Sequence, residues 1–291
     1  MLDPADAPPA LFLEQTAVTE VDGRPGTYAG FLSDQWNCPL VPHGGVVTAV
    51  ALRAMAAMLD APEQGLRSVT SVFVAQVRPG DLRIDVEVLR RGRSMSQVRA
   101  RLRNADAEEG HHLLAVFGAE RRGFEFTELE MPDVPPPEQC PAWRDFPPEV
   151  ATGPKFNFWE HVESRIAVGH FPWEEYEPTA SDRVYWYRFD EPPFVDGVID
   201  PLAVVALCDT MPGAVGELVG SGRDVWVAPS VDLTVHHFAD TSSEWLLATN
   251  RADHAGDGYA TLELELWDPV GTLLARATQV CFFTFLEDSP A

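Results

Sequence analysis

Two polar residues stand out because each lies in an otherwise apolar stretch of the sequence. Asp209 follows the apolar run 201–208, and Gln279 lies in a mostly apolar, strand-like segment near the C-terminus. A carboxylate removed from water becomes more basic, and a buried amide needs a hydrogen-bond partner. Asp209 is therefore a candidate general base. The alternative is an exposed Asp209, or one that bonds a neighbouring backbone group.

The tripeptide His43-Gly44-Gly45 opens another apolar run, 44–59, which is typical of a buried helix. The first N–H groups of a helix are free and lie at the positive end of its dipole. Glycine also lets a substrate carbonyl come close to the backbone. Gly44 and Gly45 could thus bind an oxyanion, although the tripeptide could also be only a helix-starting turn.

Nucleophile-elbow, nucleotide-binding and metal chemistries are poorly supported. The sequence contains no G-x-S-x-G motif, no P-loop and no dinucleotide-binding fingerprint. His111 and His112 are adjacent, as are His236 and His237, and neighbouring residues on a strand point to opposite faces. We therefore expect no metal site and no bound cofactor.

The composition limits the class of partner. The 291 residues carry a net charge of −24, which disfavours binding to nucleic acid or to an anionic membrane. Arginines are nevertheless concentrated within residues 78–103 of the first half. They could form a solvated strand face that neutralises nearby acids, or a rim that binds the phosphates of an anionic ligand.

The location of the protein is predicted from the same data. The four cysteines are far apart and form no C-x-x-C pair, the acidic start does not resemble a signal peptide, and no apolar run approaches about 18 residues. These features indicate a cytoplasmic protein with free thiols that does not cross a membrane.

An internal repeat predicts the fold. In each half an apolar helix (44–59, then 201–211) is followed by four alternating, strand-like runs. These runs are 68–77, 82–89, 96–103 and 111–119, then 225–238, 244–252, 259–267 and 272–285. A further strand is expected before the first helix at 28–33, with two before the second at 156–166 and 183–189. Pro212 should end or kink the second helix.

One buried helix wrapped by an antiparallel sheet, occurring twice, is an α+β double hotdog fold. We expect an N-terminal hotdog domain (1–122), a proline-rich linker (123–154) and a C-terminal hotdog domain (155–291). The alternative is two unrelated α+β domains, which the matched register of the halves disfavours.

Several motifs resemble the type II acyl-CoA thioesterases, a double-hotdog family. They are His43-Gly44-Gly45, the segment 73–89 with the following Gly92-Arg93-Ser94 turn, Asp209, Ala228-Pro229-Ser230-Val231-Asp232-Leu233-Thr234, Glu244-Trp245-Leu246-Leu247, Asp268-Pro269-Val270-Gly271, and Ala275–Gln279. The likeness covers nearly the whole chain except the proline-rich linker. Two positions depart from the bacterial enzymes of the family, which carry Gln at Val46 and Asp-His-Ser at Asp232-Leu233-Thr234.

The resemblance implies that Asp209, Ser230 and Gln279 hold and activate a water molecule that hydrolyses acyl-CoA. It places His43, Gly44, Gly45 and Thr234 beside the substrate. The acyl chain is expected in an apolar slot between sheet and helix, lined by Met55, Met58 and Leu207.

Two rival functions stay open: a hotdog protein that binds acyl-CoA or an acyl carrier without turnover, and a hotdog hydratase or dehydratase. A homodimer or higher homo-oligomer is also expected.

Overall fold

A computed structural model describes residues 10–145, 156–171, 173–221 and 226–285. The first half contains α1 (Leu11–Gln15), β1 (Val18–Glu20), β2 (Thr27–Leu32), α2 (Gly44–Leu59), β3 (Gly65–Phe73), β4 (Gly80–Arg91), β5 (Met95–Asn104) and β6 (His111–Gly118). The second half contains β7 (Val162–Val168), β8 (Arg183–Phe189), β9 (Phe194–Val195), β10 (Val198–Ile199), α3 (Pro201–Leu207), α4 (Gly213–Val219), β11 (Trp226–Val227), β12 (Asp232–His237), β13 (Leu246–Gly256), β14 (Tyr259–Trp267), β15 (Leu273–Phe282) and β16 (Thr284–Phe285).

Twelve of the described strands form one antiparallel sheet in the order β1-β2-β4-β5-β6-β3-β12-β15-β14-β13-β8-β7. The halves join where β3 pairs with β12, so the fused chain supplies its own edge-to-edge contact. Helices α2 and α3 lie against the inner face within one apolar core that spans both halves. The predicted double hotdog fold is confirmed.

The two halves share one strand register. Thr70 pairs with Thr234, and these residues are 164 positions apart. The same offset of 164 relates the cross-strand pair of Val98 and Ala115 to the pair of Leu262 and Gln279. It also relates the pair of Arg83 and Arg103 to the pair of Leu247 and Trp267. The two halves are therefore related by a pseudo-twofold axis that passes between Thr70 and Thr234.

The element boundaries differ from the predicted ones in a few places. The second helix ends at Leu207 and a separate α4 begins after Pro212, which lacks the N–H that a continuous helix needs. Residues Asn157–Glu160 form a 3₁₀ helix where a strand was predicted, and β3 ends at Phe73. Residues 146–154 of the predicted linker and residue 225 of a predicted strand lie outside the described residues.

An outward apolar cluster on the second half is covered by the segment that joins the halves. Val184, Trp186, Leu247 and Trp267 pack on the outer face of the sheet with Cys140, and Met131 and Val134 lie against them. At the first-half positions equivalent to Leu247 and Trp267 the sheet carries Arg83 and Arg103, which need no cover.

Helices α2 and α3 approach each other closely through glycine. A Cβ atom at Gly45 would lie 2.6 Å from the Ala206 oxygen and 3.0 Å from the Asp209 Cβ. Any larger residue would therefore separate the helices or displace Asp209.

This contact predicts the effect of Gly45→Ala. Because the added methyl group would meet backbone atoms that cannot move away, we expect a loss of about 1–3 kcal/mol in the free energy of unfolding. Gly65→Ala is the control, because nothing lies within 4 Å of a Cβ atom at Gly65. Urea denaturation measures both, and equal stability of the two variants would contradict the close contact.

Candidate functional site

The Asp209 carboxylate lies at the N-terminus of α2, in the other half of the chain. It follows the short α3, where the chain turns toward Pro212. Gly45 N donates a hydrogen bond of 2.8 Å to Asp209 Oδ2. The N-cap residue His43 gives α2 no side-chain cap, so Asp209 caps this helix from a distance of 164 residues. The backbone group that Asp209 bonds is thus distant in the sequence, and the side chain is buried rather than exposed.

Ser230 and Gln279 join the same site through a chain of hydrogen bonds. Ser230 Oγ donates to Asp209 Oδ1 over 3.4 Å, and Gln279 Nε2 donates to Ser230 Oγ over 2.5 Å. Ser230 is held beside β15 by its bridge to Cys281. Gln279 is 1% exposed, and its Oε1 atom has no hydrogen-bond partner among the described residues. The structure therefore brings a carboxylate, a hydroxyl and an amide together.

Burial makes the Asp209 carboxyl unusually basic. Desolvation raises its pKa from 3.8 to about 7, against the opposing hydrogen bonds from Gly45 and Ser230. A pKa near neutrality suits a general base, because the group can both accept and release a proton at working pH.

His43 is the second titratable group at the site, and it is neutral at physiological pH. Burial lowers its pKa to about 4, with a smaller raising effect from the Asp209 backbone. Its Nδ1 lies 3.8 Å from Asp209 Oδ2, beyond hydrogen-bond distance. The ring stacks on Phe158, with centroids 4.2 Å apart and planes at 14°.

The site is tightly closed. A Cβ atom at Gly44 would lie 2.7 Å from Asp209 Oδ2 and 2.9 Å from the Phe73 ring. Two surface cavities, of about 330 Å³ and 150 Å³, lie near the N-terminal segment, and neither is lined by Asp209, Ser230 or Gln279. A ligand that approaches Gly44 from the side of Phe73 would have to displace that ring.

The first half does not repeat this polar arrangement. The residues equivalent to Ser230 and Gln279 are Leu66 and Ala115, both buried and apolar. At a second contact between α2 and α3, Arg53 of α2 forms an ion pair with Asp200, the N-cap of α3. The described residues therefore contain one carboxylate–hydroxyl–amide site.

The structure does not bring every predicted substrate-contacting residue to this site. Thr234 lies on the outer face of the sheet, where its hydroxyl and that of Thr70 share a hydrogen bond of 3.0 Å, so it does not join Asp209, Ser230 and Gln279. The reason is strand alternation, which turns the neighbouring Leu233 inward. The predicted contact of Thr234 with the substrate stays a prediction.

Met55 and Met58 lie farther along α2, roughly 16 Å and 21 Å from Gly44 at 1.5 Å per residue. Met55 is buried, and Met58 is near Gly26. That these residues and the buried Leu207 line an acyl slot stays a prediction.

The arginines of residues 78–103 favour the solvated-face interpretation. On the outer face of β4 and β5, Arg99 pairs with Glu87, and Arg101 and Arg103 pair with Asp85. Among the described residues no group of three or more His, Cys, Asp or Glu could hold a metal ion. No helix in the described ranges has the length and apolar character to cross a membrane.

Three residues around the site were not singled out from the sequence. Phe158 stacks on His43, Phe73 touches Gly44, and Cys38 lies near Asp209, whose charge adds to burial in raising the pKa of the thiol to about 12. Their contacts depend on the packing of distant segments, and no local pattern indicates them.

The fold and the site define a double-hotdog protein in which the described residues form one carboxylate–hydroxyl–amide centre. The N-terminal domain of the acyl-CoA thioesterases matches residues 32–118, and the C-terminal domain matches residues 137–283. The chain belongs to the type II acyl-CoA thioesterase family. No curated protein shows significant similarity to it.

Solved structures share the fold over nearly the whole chain. A hotdog-fold protein of unknown function from Alicyclobacillus acidocaldarius is 26% identical, with a TM-score of 0.77 and coverage of 97% of this chain and 99% of its own. Acyl-CoA thioesterase II TesB2 from Mycobacterium marinum is 20% identical, with a TM-score of 0.74 and coverage of 95% and 99%. The tesB protein of Mycobacterium avium subs paratuberculosis is 18% identical, with a TM-score of 0.73 and coverage of 94% and 98%.

The raised pKa of Asp209 predicts a stability effect of Asp209→Asn. Because the folded-state pKa is above the unfolded value, the stabilising contribution of the bound proton is complete below pH 3.8 and is lost as pH rises through about 7. The Asn amide can still accept the Gly45 N–H and does not titrate. We therefore expect the Tm of the variant, relative to the wild type, to be higher at pH 8 than at pH 5.

Thermal melts at the two pH values measure this difference. The exposed Asp81→Asn is the matched control, and it should show a much smaller change with pH. A Tm difference for Asp209→Asn that is independent of pH would contradict a buried carboxyl with a raised pKa.

Proposed function

We propose that the protein hydrolyses fatty acyl-CoA to a free fatty acid and CoA, using water activated at Asp209. The observation that carries this proposal is the hydrogen-bond chain from Gln279 through Ser230 to Asp209, assembled from distant parts of the sequence at a helix N-terminus. Membership of the thioesterase family supports the reaction class.

Each residue of the site has a distinct part in the proposed mechanism. Asp209 takes a proton from water as the water oxygen attacks the thioester carbonyl, and the proton then passes to the departing CoA thiolate. Gln279 Oε1 is an unused acceptor and can orient that water. Ser230 keeps the carboxylate in position by donating to Oδ1.

The oxyanion of the tetrahedral intermediate needs donors that are already in place. Gly45 N donates to Asp209 and is therefore not free to bind the oxyanion. The N–H of the preceding residue, Gly44, would bind the oxyanion instead. The Phe73 ring lies 2.9 Å from the position that a Cβ atom would take at Gly44, so a carbonyl approaching Gly44 from that side requires the ring to move. Phe73 is therefore expected to shift when the substrate binds.

A thiol-release assay with acyl-CoAs of several chain lengths tests the proposal. Wild-type protein should release CoA, and Asp209→Asn should reduce kcat by about 10²- to 10⁴-fold, the usual effect of losing a general base. Ser230→Ala and Gln279→Ala should each cause a smaller loss. The control is Thr278→Val, because Thr278 neighbours Gln279 on β15 and faces away from the site.

Two outcomes of this assay would reject the hydrolase. Binding of acyl-CoA without release of thiol would favour the non-catalytic binding protein. Release that persists at full rate in Asp209→Asn would place the chemistry elsewhere in the chain.

The pH dependence follows from the same carboxylate. Because Asp209 must be ionised to act as a base and its pKa is raised to about 7, kcat/KM should increase with pH through neutrality and then level off. His43, with a pKa of about 4, adds no inflection between pH 5 and 9. Stopped-time assays over this range measure the profile, and activity that declines from pH 5 upward would contradict Asp209 as the base.

A hydratase is the second candidate, and one contact favours it. His43 lies beside Asp209, and a histidine paired with a carboxylate could add water to an α,β-unsaturated acyl-CoA. The pKa of His43 is low, and its Nδ1 makes no hydrogen bond to Asp209. The His43–Asp209 pair is therefore a less suitable catalytic group than the hydrogen-bond chain from Gln279 through Ser230 to Asp209. Loss of absorbance from an enoyl-CoA without thiol release would identify this activity.

A further inference from the structure

The ring of Phe73 separates the Asp209 site from a buried histidine. On one side the ring lies 2.9 Å from the position of a Cβ atom at Gly44, and the Asp209 carboxylate lies 2.7 Å from that same position. On its other side the ring stacks on His111, with centroids 4.3 Å apart and planes at 25°. Strand pairing sets these two residues opposite each other on β3 and β6. Displacement of Phe73 would therefore join the space beside His111 to the carboxylate.

His111 is buried, and one of its ring nitrogens is unused. The residue is 5% exposed, and its Nδ1 atom has no hydrogen-bond partner among the described residues. Burial lowers its pKa to about 3, with a smaller lowering effect from His112, so the ring is neutral at physiological pH. A buried polar atom without a partner costs free energy, and a ligand that bonds it recovers that cost. His111 is thus suited to bond a neutral polar group that enters from the Asp209 site.

Two unused hydroxyl groups continue inward from the same place. The short connection 60–64 leads from α2 to β3, and the beginning of α2 contacts the end of β3 through Gly44 and Phe73, so helix and strand run in opposite directions. One turn into α2 from Gly44 is Thr48, and two residues back along the same face of β3 is Ser71. Both are fully buried, and neither hydroxyl has a hydrogen-bond partner among the described residues. Unused polar atoms therefore extend from the carboxylate into the interior.

The fold itself does not require these polar groups. The offset of 164 that relates the two halves places Val235 and Ala275 at the positions equivalent to Ser71 and His111. Both of these second-half residues are buried and apolar. Because the sheet accepts apolar side chains at the equivalent inward positions, packing does not explain the polar ones beside the Asp209 site.

The acyl group is the part of an acyl-CoA that would reach these atoms. This step rests on the proposed function, in which acyl-CoA is the ligand. The CoA moiety carries charged phosphates, and because burial of such charges is costly, it stays at the surface while the acyl group goes inward. Phe73 is partly exposed at the end of β3 and has room to move outward. The first carbons beyond the thioester carbonyl would then take its place and lie beside His111.

We propose that the site prefers acyl groups that carry a hydroxyl close to the thioester, as in 3-hydroxyacyl-CoA, and that His111 hydrogen-bonds this hydroxyl once Phe73 has moved. A hydroxyl both donates and accepts, so it suits either tautomer of a neutral imidazole. A saturated acyl group would leave the buried nitrogen unpaired. A site that bonds a substrate hydroxyl in this way discriminates against the analogue that lacks it.

Matched substrates that differ by one hydroxyl test this preference. Butyryl-CoA with 3-hydroxybutyryl-CoA forms a short pair, and decanoyl-CoA with 3-hydroxydecanoyl-CoA forms a longer one, with both enantiomers of each hydroxylated member. In the pair that is turned over faster, we expect kcat/KM to be about 10- to 100-fold higher for one hydroxylated enantiomer than for the saturated member. Equal kcat/KM throughout both pairs would overturn the inference.

Substitution of His111 assigns the preference to this residue. His111→Leu removes the polar atoms from a buried position, so it should keep its activity on saturated acyl-CoA and lose the preference for the hydroxylated member. His111→Asn places an amide near the former Nδ1 and should restore part of the preference. His112→Leu is the matched control, because His112 is the next residue on β6, is exposed on the opposite face and hydrogen-bonds Glu109. An equal loss on both members of a pair in His111→Leu would indicate contact with the CoA moiety and overturn the proposed contact.

Equilibrium binding separates this inference from the proposed hydrolysis. Calorimetry on Asp209→Asn should show a Kd about 10-fold or more lower for the hydroxylated member, and the preference should be absent in Asp209→Asn/His111→Leu. Equal Kd values within each pair would overturn the inference and leave the hydrolase in place. A binding preference without thiol release from the wild type would support the inference and reject the hydrolase. A protein that binds neither pair would reject both.

Discussion

The contact between the Asp209 carboxylate and the first turn of α2 organises the functional part of this molecule. It joins the two halves of the chain through a single hydrogen bond to Gly45 N and leaves the acid almost fully buried. Glycine is required at both Gly44 and Gly45, because a side chain at either position would occupy the space of Asp209 or of α3. The sheet makes this approach possible, since β3 and β12 pair at the centre and set the two helices side by side.

The carboxylate contributes to structure and to chemistry at once. As a helix cap it satisfies a backbone N–H that His43 leaves open, and as a desolvated acid it acquires a pKa of about 7. The hydrogen bonds from Gly45 and Ser230 oppose that rise, so they keep the carboxylate ionisable in an environment that would otherwise keep it protonated. Its basicity is set by the balance between burial and these two donors.

Much of the fold follows from the sequence, because alternation and helix length are local properties. Strands β8 and β14 match the predicted runs at both ends, and Pro212 separates α3 from α4 as expected. The 3₁₀ helix at Asn157–Glu160 was missed because its aromatic residues also suit a strand. The matched pattern of the two halves was visible in the sequence, but the pairing of individual strands across the sheet was not, since it joins distant segments of the chain.

The site was predictable only in part. Gln279 is a polar residue in an apolar strand, and that conflict indicates a buried partner without naming it. Its connection to Ser230 and Asp209 came from a family resemblance, and the hydrogen bonds among them agree with it. Thr234 shows the limit of inference from a family resemblance, because strand alternation points its side chain away from Asp209, Ser230 and Gln279.

The asymmetry of the two halves has a physical reason in the cost of a buried acid. Backbone pairing fixes the common register and leaves the side chains of each half free to differ, so Leu66 and Ala115 can replace Ser230 and Gln279 without disturbing the sheet. A carboxyl whose pKa is raised to about 7 destabilises the fold near and above that pH. Two identical sites would impose this cost twice. In the described part of the chain this cost arises once, and the second contact between α2 and α3 instead holds the Arg53–Asp200 pair, in which the buried acid has a partner.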